Sequence, residues 1–228
     1  MRFIVPIIMF SLLFGVDNVE EDFATLNNWK PLTFPKIERH TTYSIDENDS
    51  LTFLKAKTSG SASGIIFKES FNVYETPIVE WRWLVSNVFE EGNALEKSGD
   101  DYPIRIYIIF KYDPDKAGFF ESAKYEAAKL IYDEYPPHSS LNYIWANREP
   151  KTDIIPNAYT NKAQMIALEW GSDYVGQWRN ENVNLLEDYR MAFNEDPPAE
   201  ASLAIMADSD NTGESAIALI DYIRVLKK

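Results

Sequence analysis

Two stretches of this chain alternate with a period of two, and that period restricts the fold more than any other feature. In Ile78-Val79-Glu80-Trp81-Arg82-Trp83-Leu84-Val85, the residues Val79, Trp81, Trp83 and Val85 share one side. In Ile104-Arg105-Ile106-Tyr107-Ile108-Ile109-Phe110, the residues Ile104, Ile106, Ile108 and Phe110 share a side, and Arg105, Tyr107 and Ile109 face the other way. Successive side chains of a strand point to opposite faces, so both segments read as strands with one buried face. An aromatic share of 14% fits, because aromatic side chains pack well on a pleated surface.

Further strand-like segments recur between turn residues, at 141–147, 163–170, 177–183, 202–206 and 217–226. Leu51-Thr52-Phe53-Leu54-Lys55-Ala56-Lys57, the turn Thr58-Ser59-Gly60-Ser61 and Gly64-Ile65-Ile66-Phe67-Lys68 read together as a hairpin. Two segments read as helices. Phe119, Phe120, Ala123, Ala127, Leu130 and Ile131 fall on one 3.6-period stripe closed by Pro136-Pro137. The second opens at Asn184 with Glu187 three residues on, a capping-box pattern, and runs to Phe193 before Pro197-Pro198. Many short strands with two short inserted helices predict a mainly β fold, an antiparallel β-sandwich of the jelly-roll kind.

Met1-Arg2 is followed by an uncharged run from Phe3 to Val16 and then by acidic residues from Asp17 to Asp22. That run has the size of a signal-peptide core and is short for a bilayer span. Residues 1–16 therefore read as a signal peptide and 17–228 as one β-sandwich domain, exported to the periplasm or the cell exterior. A buried N-terminal strand or an uncleaved anchor is the alternative. Without the leader nothing calls for membrane insertion.

There is no cysteine, which excludes disulfides, thiolate nucleophiles and Cys-ligated zinc. With only His40 and His138, a multi-histidine metal site is out of reach. A net charge of −14 argues against a nucleic-acid partner, which needs a basic footprint.

Two acidic clusters abut strand-like runs: Gly99-Asp100-Asp101-Tyr102-Pro103 and Ala207-Asp208-Ser209-Asp210-Asn211-Thr212-Gly213-Glu214. Carboxylates gathered at strand ends suit a hard cation or a polyhydroxylated ligand, since both want converging oxygens. The second cluster imitates the first half of a calcium loop, but Leu219 stands where an EF-hand needs its bidentate Glu. A structural Ca2+ held by Asp208 and Asp210, with Asp100 or Asp101 closing the shell, is one reading; an Asx-rich turn is the other. Arg105 either locks the strand register through a buried carboxylate or lines a cleft with Asp100, Asp101 and Tyr107. Trp81 and Trp83 share a face with Val79 and Val85 and read as core. Tyr143 and Trp145, flanked by Asn142, Asn147 and Arg148, are the candidates for stacking on a sugar ring. Glu80, Glu169 and Glu181 lie on strand-like segments, and Glu181 joins the ligand-binding set.

The run Gly99 to Tyr107, with Asn142-Tyr143-Ile144-Trp145-Ala146-Asn147, Arg179-Asn180-Glu181-Asn182-Val183 and Ala204-Ile205-Met206-Ala207-Asp208-Ser209-Asp210-Asn211-Thr212, resembles a bacterial family known as domain of unknown function 3047. The resemblance implies an exported bacterial protein and carries over no catalytic residue. Ala218-Leu219-Ile220-Asp221-Tyr222-Ile223-Arg224-Val225 looks like the closing strand of sugar-binding jelly rolls, a likeness of fold alone. The leading expectation is non-catalytic binding of a carbohydrate or other polar cell-envelope ligand. A glycan-active hydrolase or lyase with paired carboxylates and a structural partner-binding module are the alternatives.

Overall fold

A computed structural model describes residues 18–48, 50–115 and 135–228, together with residues 118, 122, 125, 126 and 129. The leader at 1–16 and the apolar stripe of 119–131 lie outside the described residues.

Among the described residues fourteen strands follow in chain order: β1 (Val19–Glu21), β2 (Trp29–Leu32), β3 (Thr42–Glu47), β4 (Thr52–Ser59), β5 (Ala62–Phe67), β6 (Phe71–Asn72) and β7 (Ile78–Val85). After them come β8 (Tyr102–Phe110), β9 (Ser139–Ala146), β10 (Ile155–Pro156), β11 (Ala163–Trp170), β12 (Arg179–Asn184), β13 (Glu200–Asp208) and β14 (Ser215–Leu226). They form two facing sheets. One runs β12-β7-β14-β4-β3 with β1 beside β14; the other runs β10-β11-β9-β8-β13-β5-β2 with β6 beside β13. All pairs are antiparallel except β9 and β11, which run parallel. This is the mainly β sandwich that the alternation predicts.

The core lies between the sheets. Trp81 and Trp83 of β7 are fully buried and meet Tyr143 and Trp145 of β9, with ring centroids 5.4 Å and 6.0 Å apart. Ile104, Ile106, Ile108 and Phe110 of β8 fill the same layer. The opposite face of the eight-stranded sheet is covered too. Tyr102, Ile144, Ala146, Ile155 and Met165 form a second, smaller apolar cluster there, beneath Ala94 of the 86–101 loop.

The hairpin expected between β4 and β5 does not form. β4 pairs with β3 and β14, whereas β5 pairs with β13 and β2, so the chain changes sheets at this corner. Gly60, at φ 51°, takes the left-handed conformation that the corner requires. Thr58 Oγ1 donates to Ser61 O at 2.9 Å and lies 2.8 Å from Ser209 Oγ, so hydroxyls tie the two sides of the corner together while Gly60 N donates to Glu214 O at 2.9 Å. A turn motif between two alternating runs looks alike whether the strands pair or part.

One α-helix, α1 (Leu185–Phe193), is described. Asn184 caps it, accepting from Leu186 N and Glu187 N while its amide donates to the Glu187 carboxylate at 2.7 Å. The start of the helix is where the pattern predicts it, but Glu187 takes the side-chain amide of Asn184 and not the backbone N–H that a capping box uses. Asn194, at φ 57°, ends it. Tyr143 reaches through the core to donate to Asp188 Oδ2 at 2.7 Å and ties the helix to β9.

Candidate functional site

The period-two rule sorts the candidate residues by face. On the outer face of the eight-stranded sheet, Arg105 stands opposite Ile144, Tyr107 opposite Asn142 and Ile109 opposite Ser140. β11 continues these rows with Met165 beside Asn142 and Ala163 beside Ser140. Tyr143 and Trp145 point inward instead. Both are fully buried, so neither offers a ring face to a sugar, and their role as stacking residues is corrected to core packing. Asn142 turns to the other face of the sheet, and Asn147 lies past the end of β9, where it binds Asp101 O and Phe89 N.

The two acidic clusters meet at one end of this outer face. Arg105 Nε donates to Asp208 Oδ1 at 3.1 Å, its Nη2 pairs with Asp208 Oδ2, and its Nη1 lies 3.6 Å from Asp100 Oδ1. Asp208 Oδ1 also accepts from Tyr102 N at 3.3 Å. Asp101 accepts from Asn211 Nδ2 at 2.9 Å and from Thr212 N at 2.6 Å, fixing the 208–213 turn. Asn147 closes the assembly, donating to Asp101 O at 2.6 Å and accepting from Phe89 N at 2.8 Å. Asp100, Asp101, Arg105 and Asp208 are all buried, while Asp210 is exposed.

Burial pushes the Asp208 carboxyl up; the Arg105 guanidinium paired with it pulls it back down, and the charges of Asp101 and Asp100 add to the rise. Burial works most strongly against the Arg105 guanidinium, but Asp208, Tyr107, Asp100 and Tyr102 together more than offset it and keep Arg105 cationic. Asp101, Asp208 and Asp210 bring one oxygen each within 4.8 Å of the others, which is the convergence a hard cation requires. The chain itself already directs donors at both oxygens of Asp101 and of Asp208. The arrangement thus knits loop 99–101 to loop 208–214 around one guanidinium.

The same sheet face opens at its other end. A cleft of ≈ 440 Å³ lies where the parallel strands β9 and β11 begin, lined by Tyr125, Pro137, Ser140, Thr160, Asn161 and Lys162. Lys162 Nζ donates to Tyr125 OH at 3.3 Å, and that hydroxyl donates to Pro137 O at 3.2 Å. Parallel strands cannot be joined by a tight turn, so their shared end is bounded by loops that leave room between them. The volume falls within the roughly 300–1,000 Å³ of small-molecule sites. Prolines and a tyrosine give it apolar walls, and hydroxyls, an amide and an ammonium give it polar ones.

A third group sits at the β12 edge. Trp83 Nε1 donates to Glu181 Oε1 at 3.0 Å, Arg179 Nε donates to Glu169 Oε1 at 2.5 Å, and the Arg179 guanidinium lies 4.1 Å from the Tyr174 ring centre. Burial pushes the Glu181 carboxyl up to about 7; the Trp83 bond lowers it, the charge of Glu169 raises it, and Arg179 lowers it.

Residues 27–224 match the family model described as "Protein of unknown function (DUF3047)". The chain belongs to that family. Comparison with curated proteins gives no match. Among solved structures, this DUF3047 chain is similar to a family 12 xyloglucanase from Bacillus licheniformis, at 9% identity and TM-score 0.47 over 92% of this chain and 99% of that one. It is also similar to the family 11 carbohydrate-binding module of cellulase Lic26A-Cel5E of Clostridium thermocellum, at 10% identity and TM-score 0.45 over 91% and 92%. The winged bean acidic lectin follows at 10% identity and TM-score 0.42 over 92% and 99%. Likeness at this level does not bear on function.

Sequence reading missed the cleft. Ser140, Thr160, Asn161 and Lys162 carry no motif and converge only because β9 and β11 run parallel. Asn142 reads in the sequence only as a flank of Tyr143, yet the alternation that buries the tyrosine turns the amide to the outer face.

Proposed function

We propose that this DUF3047 protein is an exported, non-catalytic binder of a carbohydrate or a related polyhydroxylated envelope ligand, which it takes in the cleft at the start of β9 and β11. The cleft carries the reading. Its mixed walls match a sugar ring, whose C–H faces pack on apolar surface while its hydroxyls take hydrogen bonds from groups such as Ser140, Asn161 and Lys162. The leader-like composition of residues 1–16 supports export, and among the described residues no helix is long and apolar enough to cross a membrane.

The test is a glycan array with the wild type and with Ser140→Trp, which fills the cleft from a half-buried strand position. Binding by the wild type that the tryptophan abolishes is the expected result. Silence on every glycan, or equal binding by both proteins, refutes the proposal.

A glycan-hydrolase reading is favoured by one observation, the Glu181 carboxyl beside the Glu169–Arg179 pair. An acid poised near neutral pH next to an ion-paired carboxylate is the asymmetry that acid–base hydrolysis uses. Release of reducing ends from mixed polysaccharides, lost in Glu181→Gln, would establish it.

A further inference from the structure

We infer that a ligand seated in the cleft reaches past Ser140 and Ala163, where the open lining ends, to Asn142, whose amide oxygen accepts one of its hydroxyls once the side chains between them move aside; this rests on the carbohydrate reading above. Asn142 is 1% exposed, and its Oδ1 has no hydrogen-bond partner. Buried polar groups in folded proteins are almost always paired, so an orphan amide oxygen calls for a partner that is absent from the chain itself. Its surroundings deepen the anomaly. Ile144 and Met165 beside it belong to the small apolar cluster, where a leucine of similar size would pack without any unmet demand.

Position links the orphan oxygen to the cleft. Asn142 lies two residues along β9 from Ser140, on the same face, and Met165 lies two residues along β11 from Ala163. Ser140 and Ala163 both line the cleft, and both are small. The residues that flank the path can adjust. Met165 is a buried but unbranched thioether with several accessible rotamers, and the contact it would give up is the weak one from Tyr102 OH to its Sδ at 3.5 Å. Tyr107, directly opposite Asn142, has a hydroxyl whose contact is the weak acceptor Met206 Sδ at 3.6 Å, so it can turn toward a better one. An acceptor at the inner end and a hydroxyl beside it complement a vicinal diol, in which one hydroxyl donates to Asn142 and its neighbour accepts from Tyr107.

The test uses methyl glycosides of glucose, galactose, mannose, N-acetylglucosamine and glucuronic acid, with the monodeoxy derivatives of each that binds. Affinities are measured by calorimetry on the full chain and on Asn142→Leu. The variant is expected to melt at or above the wild-type temperature and to bind about tenfold more weakly, the net worth of one neutral hydrogen bond. One deoxy position is expected to weaken the wild type tenfold and Asn142→Leu not at all. Equal affinities for wild type and variant overturn the inference and leave the cleft proposal standing. So does a melting temperature several degrees lower, which assigns the amide to the fold through a buried water. A wild type that binds none of the glycosides removes the carbohydrate reading and this inference with it.

Discussion

Replacing Glu181 with glutamine isolates the electrostatic state of the β12 edge. Glutamine keeps the oxygen that accepts from Trp83 Nε1 and cannot ionise. The carboxyl is raised from 4.5 to about 7 in the folded chain, so folding favours its protonated form. Its stabilising contribution is complete below about pH 4.5, declines as pH rises toward 7, and is gone above that value. The interval corresponds to about 3 kcal/mol at roughly 1.36 kcal/mol per pH unit. Partial exposure of the side chain screens the charge and reduces the expected value to about 1–2 kcal/mol. Urea denaturation of wild type and Glu181→Gln at pH 4.5 and pH 8 reads the difference directly. The two proteins should be equally stable at the lower pH, and the variant should be about 1–2 kcal/mol more stable at the higher one. Taking the difference between proteins cancels the other raised carboxyls, including Asp208. Equal stability at both pH values, or a variant weaker at pH 8, would mean that Glu181 is ionised and well solvated in the fold.

Three further outcomes follow from the buried cluster and its supporting loop. Arg105→Met leaves Asp208 and Asp100 buried without their cation and should cost about 3–5 kcal/mol in urea denaturation; a loss below about 1 kcal/mol would show that the carboxylates are protonated or hydrated instead. Gly92→Ala would set a Cβ 2.1 Å from Asn147 Nδ2, displacing the side chain that holds Phe89 N and Asp101 O. A loss of about 2–4 kcal/mol is expected, with faster amide exchange at Phe89, and unchanged exchange there would contradict the role given to Asn147. Because Arg105, Asn211 and Thr212 already direct donors at Asp208 and Asp101, calcium at millimolar concentration should leave the melting temperature where chelator leaves it. A rise of several degrees would mean that Asp101, Asp208 and Asp210 form a cation site in preference to the ion pair.

Why some of this was legible in the chain and some was not comes down to the range of the information. Alternation is local: the burial of Val79, Trp81, Trp83 and Val85 follows from period two alone, and the Asn184–Glu187 cap is complete within four residues. Partner choice is not local. β4 and β5 look like a hairpin because Gly60 permits a turn, yet pairing is decided by β14 and β13, more than a hundred residues away. The meeting of the two acidic clusters lies between these cases. Asp208 ends β13 and Asp101 precedes β8, and those strands are antiparallel neighbours, so the two sequence positions become one spatial end. The same logic explains the error at Tyr143 and Trp145. Polar neighbours suggest exposure, but in a strand a polar neighbour at i±1 reports on the opposite face and says nothing against burial of i. The same rule, with β8 and β9 paired, sets Asn142 on the face of Arg105 and Tyr107. What it cannot supply is the missing partner of Asn142 Oδ1, because that demand exists only once β8 and β11 have closed around it.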